Sequence, residues 1–138
     1  MDLLQRWFDF RGRLDRAQYW RAVVVSLCAW FLVTLVVAGV GAVFMGRGSF
    51  RVSGLLVLLA SVPISVGRLH DRGKSGWWLI AFYALPVGLS YAEDAAGADL
   101  QVFLSPAKLA LSIWAFVELG CLSGAVGPNK YGPDARMG

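Results

Sequence analysis

Charged side chains are scarce in this sequence. They make up 16% of the 138 residues, whereas soluble domains carry about 25%. Hydrophobic residues reach 57%, above the roughly 45 to 50% of soluble domains. A chain with so few charges is poorly suited to a water-facing surface, and its charged stretches are too short to form a soluble domain of their own. The composition therefore predicts a membrane protein.

Cysteine and histidine are also rare. The chain contains two cysteines, Cys28 and Cys121, and one histidine, His70. A stable zinc site needs three or four protein ligands, and no C-x-x-C or Cys/His spacing is present. The sequence therefore predicts no metal and no cofactor. The two cysteines lie in apolar runs, where we expect small buried side chains. His70, beside Asp71, is expected to be a hydrogen-bonded interfacial histidine rather than a metal ligand or a proton carrier.

Sequence motifs of known enzyme classes are missing as well. The chain has no nucleophile elbow, phosphate-binding loop, metalloprotease motif or dinucleotide fingerprint. The sequence therefore favours a protein without enzymatic activity, and an enzyme stays among the alternatives. The excess of thirteen basic over nine acidic residues does not indicate nucleic-acid binding, because the basic residues cluster beside apolar runs, where anionic headgroups lie.

Four apolar runs indicate membrane-spanning helices. The first charge-free run, Ala22–Met45, is long enough for about 36 Å of helix, which exceeds a hydrocarbon core of about 30 Å. We predict an all-α protein with four spans at about 20–45, 52–69, 76–92 and 107–126, forming one multi-pass domain over residues 1–138. The two shorter central runs also fit re-entrant hairpins or buried helices of a soluble protein.

Local signals mark where these helices begin. In residues 1–10 the apolar side chains fall on one side of a helical wheel and the polar side chains point away from it. This pattern predicts an amphipathic helix lying in the membrane interface. Asp15 and Gln18 have the spacing of a capping box, so a helix is expected to begin there. Ser75 is expected to cap the third helix, and the Ser105–Pro106 pair predicts the beginning of the fourth.

The basic residues are distributed unequally between the two sides of these spans. Three of the thirteen, Arg47, Arg51 and Lys108, lie on one side, and the other ten lie on the opposite side. The positive-inside rule then places both termini and the 68–78 loop in the cytoplasm. The predicted location is the bacterial inner membrane.

One cluster of polar residues on the cytoplasmic face is the candidate binding site. The simpler interpretation is that these charges set the orientation in the membrane and form salt bridges that join the N-terminal segment to the central loop. The sharper hypothesis is a site for an anionic phospholipid headgroup or a partner protein. Its predicted members are Arg11, Arg13, Arg68, His70, Asp71, Arg72, Lys74 and Ser75.

Glu118 is an acid inside the fourth predicted span, where an ionised carboxylate is costly unless it is paired. We expect an arginine such as Arg21 or Arg68 to reach it, and a role in proton or ion passage is the alternative. Gly120 and Gly124 in the same span form a G-x-x-x-G pattern typical of close helix contacts. The pattern favours packing within one chain, with a homo-oligomer or a partner membrane protein as the alternative.

Three segments on the predicted cytoplasmic face carry a resemblance to a known family. They are Phe8–Trp20 (FDFRGRLDRAQYW), Gly67–Trp78 (GRLHDRGKSGWW) and Gly127–Asp134 (GPNKYGPD). In this order and spacing they resemble small bacterial inner-membrane proteins catalogued as domain of unknown function eight hundred and five. The resemblance implies a four-helix inner-membrane protein whose motifs face the cytoplasm, and it implies no activity. The long connection predicted between Val87 and Ser105 departs from the family pattern.

Together these features favour a binding or scaffold component of the membrane, whose basic cytoplasmic face engages anionic headgroups or a partner protein. A small transport or channel element that uses Glu118 is the alternative from another class. A membrane enzyme that acts on a lipid phosphate through His70 and Asp71 is the third hypothesis.

Overall fold

The computed structural model describes residues 12–44, 48–95 and 97–137. The predicted interfacial helix at 1–10 and the predicted site residue Arg11 lie outside these residues. Within them the structure is helical and has no β-strand, apart from one isolated bridge between Asn129 and Gly132. The prediction of an all-α protein is confirmed to this extent.

Four α-helices occur in the described part of the chain, and two of them are joined to a π-helical turn. They are α1 (Arg16–Phe44), α2 (Gly48–Asp71), α3 (Leu85–Ala95, preceded by the π-turn Ile80–Ala84) and α4 (Ala98–Phe116, followed by the π-turn Val117–Cys121). A short 3-10 helix, Ala135–Met137, follows.

Sequential helices run antiparallel. The beginning of α1 lies beside the end of α2, where the Leu14 N–H donates to the Gly67 carbonyl at 3.0 Å. Glu93, near the end of α3, pairs with Lys108 on α4. The two helix pairs meet through the π-turn after α4, which contacts both α1 and α2. The beginning of α1, the end of α2 and the end of α4 therefore lie together at one end of the molecule.

The outer faces of α1 and α4 are apolar and exposed. Two segments in the described residues, Arg16–Val36 and Asp99–Cys121, are long and apolar enough to cross a membrane, yet only 11% and 6% of their most apolar stretches are buried. Phe31 is 60% exposed and Phe103 is 72% exposed. Such large apolar surfaces are rare on soluble monomers, whereas lipid chains would cover them. Cys28 and Cys121 are exposed as well, so the prediction that they are buried was wrong.

The capping box predicted at the beginning of α1 is confirmed. The Gln18 N–H donates to Asp15 Oδ1 at 2.7 Å, and the Asp15 N–H donates to Gln18 Oε1 at 3.1 Å. The two side chains thereby satisfy two N–H groups that the first helical turn leaves without a backbone acceptor. Ser75 Oγ accepts a longer hydrogen bond from the Trp77 N–H at 3.4 Å, at the position predicted for the cap of the third helix.

Two predicted helix beginnings were wrong. The fourth helix begins at Ala98, and Pro106 lies inside it. Glu93 joins the end of α3 to α4, because its carboxylate accepts hydrogen bonds from Ser105 and Lys108. The long connection predicted between Val87 and Ser105 is therefore mostly helix. Likewise α2 begins at Gly48 and not at about residue 52, where the second span was predicted to begin, because one charged residue such as Arg51 does not end a helix.

The fourth helix also ends earlier than predicted, at Cys121 rather than Val126. Residues 122–126 leave the helix because other parts of the chain bind their backbone. The Ala125 N–H donates to the Asp71 carbonyl at 2.8 Å, and the Ser123 carbonyl accepts from Arg72 at 2.9 Å. These tertiary hydrogen bonds replace the helical ones that the apolar sequence would otherwise form.

Candidate functional site

The carboxylate of Asp71 is the centre of a buried ionic network. Its Oδ1 accepts from Arg13 Nε at 3.2 Å and from Arg13 Nη2 at 3.0 Å. Its Oδ2 accepts from Arg68 Nη1 at 2.6 Å. The side chains of Arg13, Arg68 and Asp71 are 2%, 0% and 4% exposed. One carboxylate thus joins the segment before α1 to the end of α2.

Backbone carbonyls supply the remaining acceptors for Arg13. Nη1 donates to the carbonyls of Gly127 at 2.7 Å and Gly132 at 3.2 Å, and Nη2 donates to that of Ala125 at 2.8 Å. A buried ion pair costs several kcal/mol of desolvation per ion unless hydrogen bonds satisfy the remaining donors. These carbonyls meet that requirement, and their hydrogen bonds join the segment after α4 to the segment before α1.

The last carbonyls of the fourth helix are bound by side chains from α1 and α2. A helix leaves its final four carbonyls without intrahelical donors. Here Leu119 accepts from Arg68 Nε at 2.9 Å, Gly120 from Trp20 Nε1 at 3.0 Å, and Cys121 from Arg16 Nη1 at 3.2 Å. The Leu122 carbonyl accepts from Arg68 Nη2. Cationic donors suit this position, because a helix C-terminus carries partial negative charge.

Gly120 and Gly124 do not form a G-x-x-x-G helix face, since Gly124 lies outside the helix. Each glycine instead allows one close approach within the chain. A Cβ at position 120 would lie 2.7 Å from Trp20 Cζ2, and a Cβ at position 124 would lie 1.8 Å from Asp71 Oδ2. The expected packing within one chain therefore occurs, although through side chains of other elements and not through a helix pair.

Glu118 lies in the π-turn and is paired with two cations. It accepts from Arg72 Nε at 2.9 Å and lies 2.7 Å from Lys74 Nζ. Its side chain is 6% exposed. The prediction of Arg21 or Arg68 as its partner was wrong, because the carbonyls after α4 and Asp71 occupy Arg68. Lys74 Nζ also lies 5.0 Å from the centroid of the Trp78 ring, and Trp78 packs edge-to-face against Trp114 of the fourth helix.

His70 packs against the C-terminal segment. Its ring stacks on Tyr131 with centroids 3.8 Å apart and planes 7° apart. The His70 carbonyl accepts from Asn129 Nδ2 at 2.9 Å. No group of three or more metal-ligating side chains occurs in the part of the chain that the structure describes. The contacts of His70 are those of an interfacial packing residue.

Asp134 holds the turn that precedes the chain end. Its Oδ2 accepts from the Gly127 N–H at 2.9 Å, and its Oδ1 accepts from the Arg136 N–H at 3.1 Å. These backbone donors, together with the Arg136 guanidinium, hold the pKa of Asp134 well below its usual value. Asp134 in turn raises the pKa of Arg136. Gly127 has a φ of +80°, a conformation in which L side chains are strained.

The residues predicted for headgroup binding separate into two groups. Arg13, Arg68, His70 and Asp71 are buried and bound internally, whereas Arg72, Lys74 and Ser75 are partly exposed. A headgroup would reach Arg13 or Arg68 only by displacing Asp71 or the carbonyls that bind them. The Arg13–Asp71 pair is a salt bridge of the kind that the simpler interpretation predicts, because it joins the N-terminal segment to the end of α2 beside the central loop.

Several residues of the network were missed in the sequence. Arg16, Trp20 and Asn129 make contacts that join two chain segments, and Asp134 binds the Gly127 N–H within the last segment. The only available signal was their place in the three quoted segments, since nothing local indicates which carbonyl or amide each side chain will meet.

Comparison with known proteins agrees with these three segments. The profile of a family described as "Protein of unknown function (DUF805)" matches residues 7–133. The chain belongs to this family. Curated relatives of this DUF805 chain include the inner membrane protein YhaH of Escherichia coli K12, 24% identical over 99% of the chain and 95% of the relative. YiiR, described as uncharacterized, is 30% identical over 96% of the chain and 90% of the relative.

A third relative, the inner membrane protein YhaI of Escherichia coli K12, is 23% identical over the whole chain and 95% of its own length. No solved structure has a significant match to this chain. The names of these inner membrane relatives place this DUF805 protein in the bacterial inner membrane. They assign it no reaction, ligand or partner.

Proposed function

We propose that all four helices cross the inner membrane, with both termini and the loop after α2 in the cytoplasm. Two observations support this topology. The 24 residues of α2 correspond to about 36 Å of helix, enough for the hydrocarbon core. Among the described residues, antiparallel packing then brings eight basic side chains to one end, the side that the positive-inside rule assigns to the cytoplasm. They are Arg13, Arg16, Arg21, Arg68, Arg72, Lys74, Lys130 and Arg136.

At this cytoplasmic end the protein binds anionic lipid headgroups as a membrane scaffold component. The observation that carries the proposal is the separation of the basic residues there. Arg13 and Arg68 are buried within the network, whereas six others lie at least partly exposed around it. We call these six the basic rim: Arg16, Arg21, Arg72, Lys74, Lys130 and Arg136.

Anionic lipids attract such residues with about 1 kcal/mol for each lysine or arginine near the surface. Headgroups can approach the rim from outside, because its members are at least partly exposed around the buried centre of the network. Self-association and a partner protein stay predictions of the sequence. Glu118 has the contacts of a structural ion pair with Arg72 and Lys74, so no observation favours transport as a second function.

Lipid retention measured by native mass spectrometry tests the proposal. Protein exposed to an equimolar mixture of phosphatidylglycerol and phosphatidylcholine should retain phosphatidylglycerol in excess. Replacing Arg21 and Lys130 together by glutamine should lower that preference several-fold, and raising NaCl from 0.15 to 0.5 M should lower it further. Lys108→Gln, which removes a positive charge from the opposite end, is the control. Equal retention of the two lipids by the wild-type protein would refute the proposal.

A further inference from the structure

A cavity of about 230 Å³ opens beside the buried network. The beginning of α1 forms one wall with Arg16 and Ala17, and Ser123 lies on a second side. Arg136 of the 3-10 helix closes the third side, and Asp71 lies at its inner surface. The cavity therefore lies where four separate parts of the chain meet.

Both apolar segments of membrane-spanning length terminate at this cavity. One begins at Arg16, which lines it, and the other ends at Cys121, two residues before Ser123. A helix leaves the hydrocarbon where its apolar run ends, and phospholipid phosphates lie just beyond that depth. The cavity is thus at the level of the headgroups and not in the hydrocarbon or in open water.

Two arginines line the cavity with N–H donors to spare. Arg16 donates one hydrogen bond among the described residues, from Nη1 to the Cys121 carbonyl. Arg136 directs Nε and Nη2 at Asp134. A guanidinium has five N–H donors, so each arginine retains at least two. Paired arginines with free donors match the geometry of a phosphate group.

The two carboxylates at the cavity are already bound by the chain. Asp71 is neutralised by Arg13 and Arg68. Asp15 Oδ1 accepts the N–H of Gln18 as the helix cap. The four arginines at and beside the cavity, Arg13, Arg16, Arg68 and Arg136, face three carboxylates, Asp15, Asp71 and Asp134, which leaves one net positive charge. The amino end of α1 adds partial positive charge at the cavity.

The size of the cavity restricts what it can hold. Sites that enclose a drug-sized ligand measure roughly 300 to 1,000 Å³, so about 230 Å³ accommodates a small polar group and leaves the rest of a larger molecule outside. A phosphate ester whose remainder extends into the membrane or into water meets this limit.

We propose that this cavity binds one phosphate group, with Arg16 and Arg136 as its donors. The proposal rests on the proposed function and makes it more specific, because it replaces a diffuse attraction along the basic rim with one stoichiometric site. The same chemistry would suit the headgroup of a phospholipid or a free phosphate ester, and the experiment separates these two sources.

Isothermal titration of the full-length protein in neutral detergent provides the test. The probes are dihexanoyl phosphatidic acid, sn-glycerol 3-phosphate and, as the zwitterionic control, dihexanoyl phosphatidylcholine. We expect one phosphatidic acid per chain. The double substitution Arg16→Gln with Arg136→Gln should raise its Kd by about tenfold or more. Arg21→Gln is the comparison variant, because Arg21 belongs to the basic rim but does not line the cavity, and it should raise Kd less than the double substitution does. Lys108→Gln, at the opposite end of the molecule, is the control and should change Kd less than twofold.

Ala17→Leu keeps every charge and fills the cavity, so it separates a site from general attraction. Leucine is a good helix former, and the unfolding temperature of the variant checks that it folds. A tenfold weaker Kd in this variant supports the cavity, whereas an unchanged Kd overturns it. Equal weakening by Arg21→Gln and by the double substitution also overturns the site, but it leaves the proposed function standing.

The two phosphate probes identify the source. Binding of phosphatidic acid at least tenfold tighter than that of glycerol phosphate assigns the site to a lipid headgroup. Equal binding that Ala17→Leu abolishes for both assigns it to a free phosphate ester. If neither probe binds the wild-type protein, the cavity is not a phosphate site, and retention of phosphatidylglycerol in the earlier experiment decides the proposed function separately.

Discussion

At the scale of single residues, the guanidinium of Arg13 donates to four different groups, the carboxylate of Asp71 and the carbonyls of Ala125, Gly127 and Gly132. A lysine could not replace it, because an ammonium has three donors around one point and lacks the planar fork of a guanidinium. The buried network depends on this geometry. The sequence showed arginines and an aspartate in the right segments, but it could not show that Arg13 would be buried.

The glycine beside Asp71 gives the sharpest prediction at this scale. In Gly124→Ala the new Cβ would lie 1.8 Å from Asp71 Oδ2, so the carboxylate must move away from Arg68 and Arg13. Disrupting a buried ion pair of this kind costs about 3 to 5 kcal/mol, and we expect a large fall in the unfolding temperature in detergent.

Gly88→Ala is the matched control for that variant. Gly88 lies on α3, and a Cβ added there would meet no other part of the described chain within 4 Å beyond the backbone of its own helix. Alanine is also the better helix former by roughly 0.8 to 1 kcal/mol. The unfolding temperature of this variant should stay the same or rise. Similar unfolding temperatures for the two variants would show that Gly124 does not contact Asp71 in solution.

At the scale of elements, the end of the fourth helix shows how tertiary contacts override local preference. Leu122–Val126 is apolar and follows a helix, so the sequence predicts that the helix continues. Arg68 and Arg13 instead bind carbonyls in this stretch, and the N–H of Ala125 donates to Asp71. By contrast, the beginning of α1 was predictable, because Asp15 and Gln18 satisfy each other within one turn.

The turn held by Asp134 should depend on pH. Its pKa is lowered in the folded protein, so the unfolded state takes up a proton first as the pH falls. The stabilisation is therefore complete above the ordinary aspartate pKa of about 3.9 and is lost as the pH falls through the lower pKa of the folded state. The difference in unfolding temperature between the wild type and Asp134→Asn should be constant from pH 8 to 5 and shrink below pH 4.

Asp94→Asn controls for the change in net charge, because Asp94 is exposed on α3. Its unfolding temperature should lie close to that of the wild type at neutral pH. A gap between the wild type and Asp134→Asn that stayed constant down to pH 2.5 would contradict the role assigned to Asp134. Hydrogen exchange of residues 127–137 at each pH would locate the change in this segment.

At the scale of the whole molecule, the basic residues at one end form two groups with different contacts. Arg13 and Arg68 bind internal carbonyls and Asp71, and the basic rim lies outside them. Both sets contribute to the charge bias that orients a membrane protein, so the bias alone could not separate them. Burial separates them, because a guanidinium surrounded by carbonyls no longer faces lipid.

The proposed topology predicts opposite labelling of the two ends. In a chain with Cys28 and Cys121 replaced by serine, Lys130→Cys should react with a membrane-impermeant maleimide only after the cells are lysed. Asp94→Cys should react in intact spheroplasts, because the turn after α3 is expected in the periplasm. The reverse pattern would refute the orientation, and labelling of both positions in intact spheroplasts would refute the four-span topology.

The sequence by itself determined the membrane character of this protein, the beginning of α1 and the three segments that identify its family. Those features are local, because they depend on the length of an apolar run, on charge counts or on side chains within one helical turn. Only the tertiary structure decided where α4 ends, which cations are buried and that Arg72 and Lys74 bind Glu118. These outcomes depend on carbonyls and carboxylates that distant segments bring to the same place, and spacing along one chain does not specify which of several arginines reaches them.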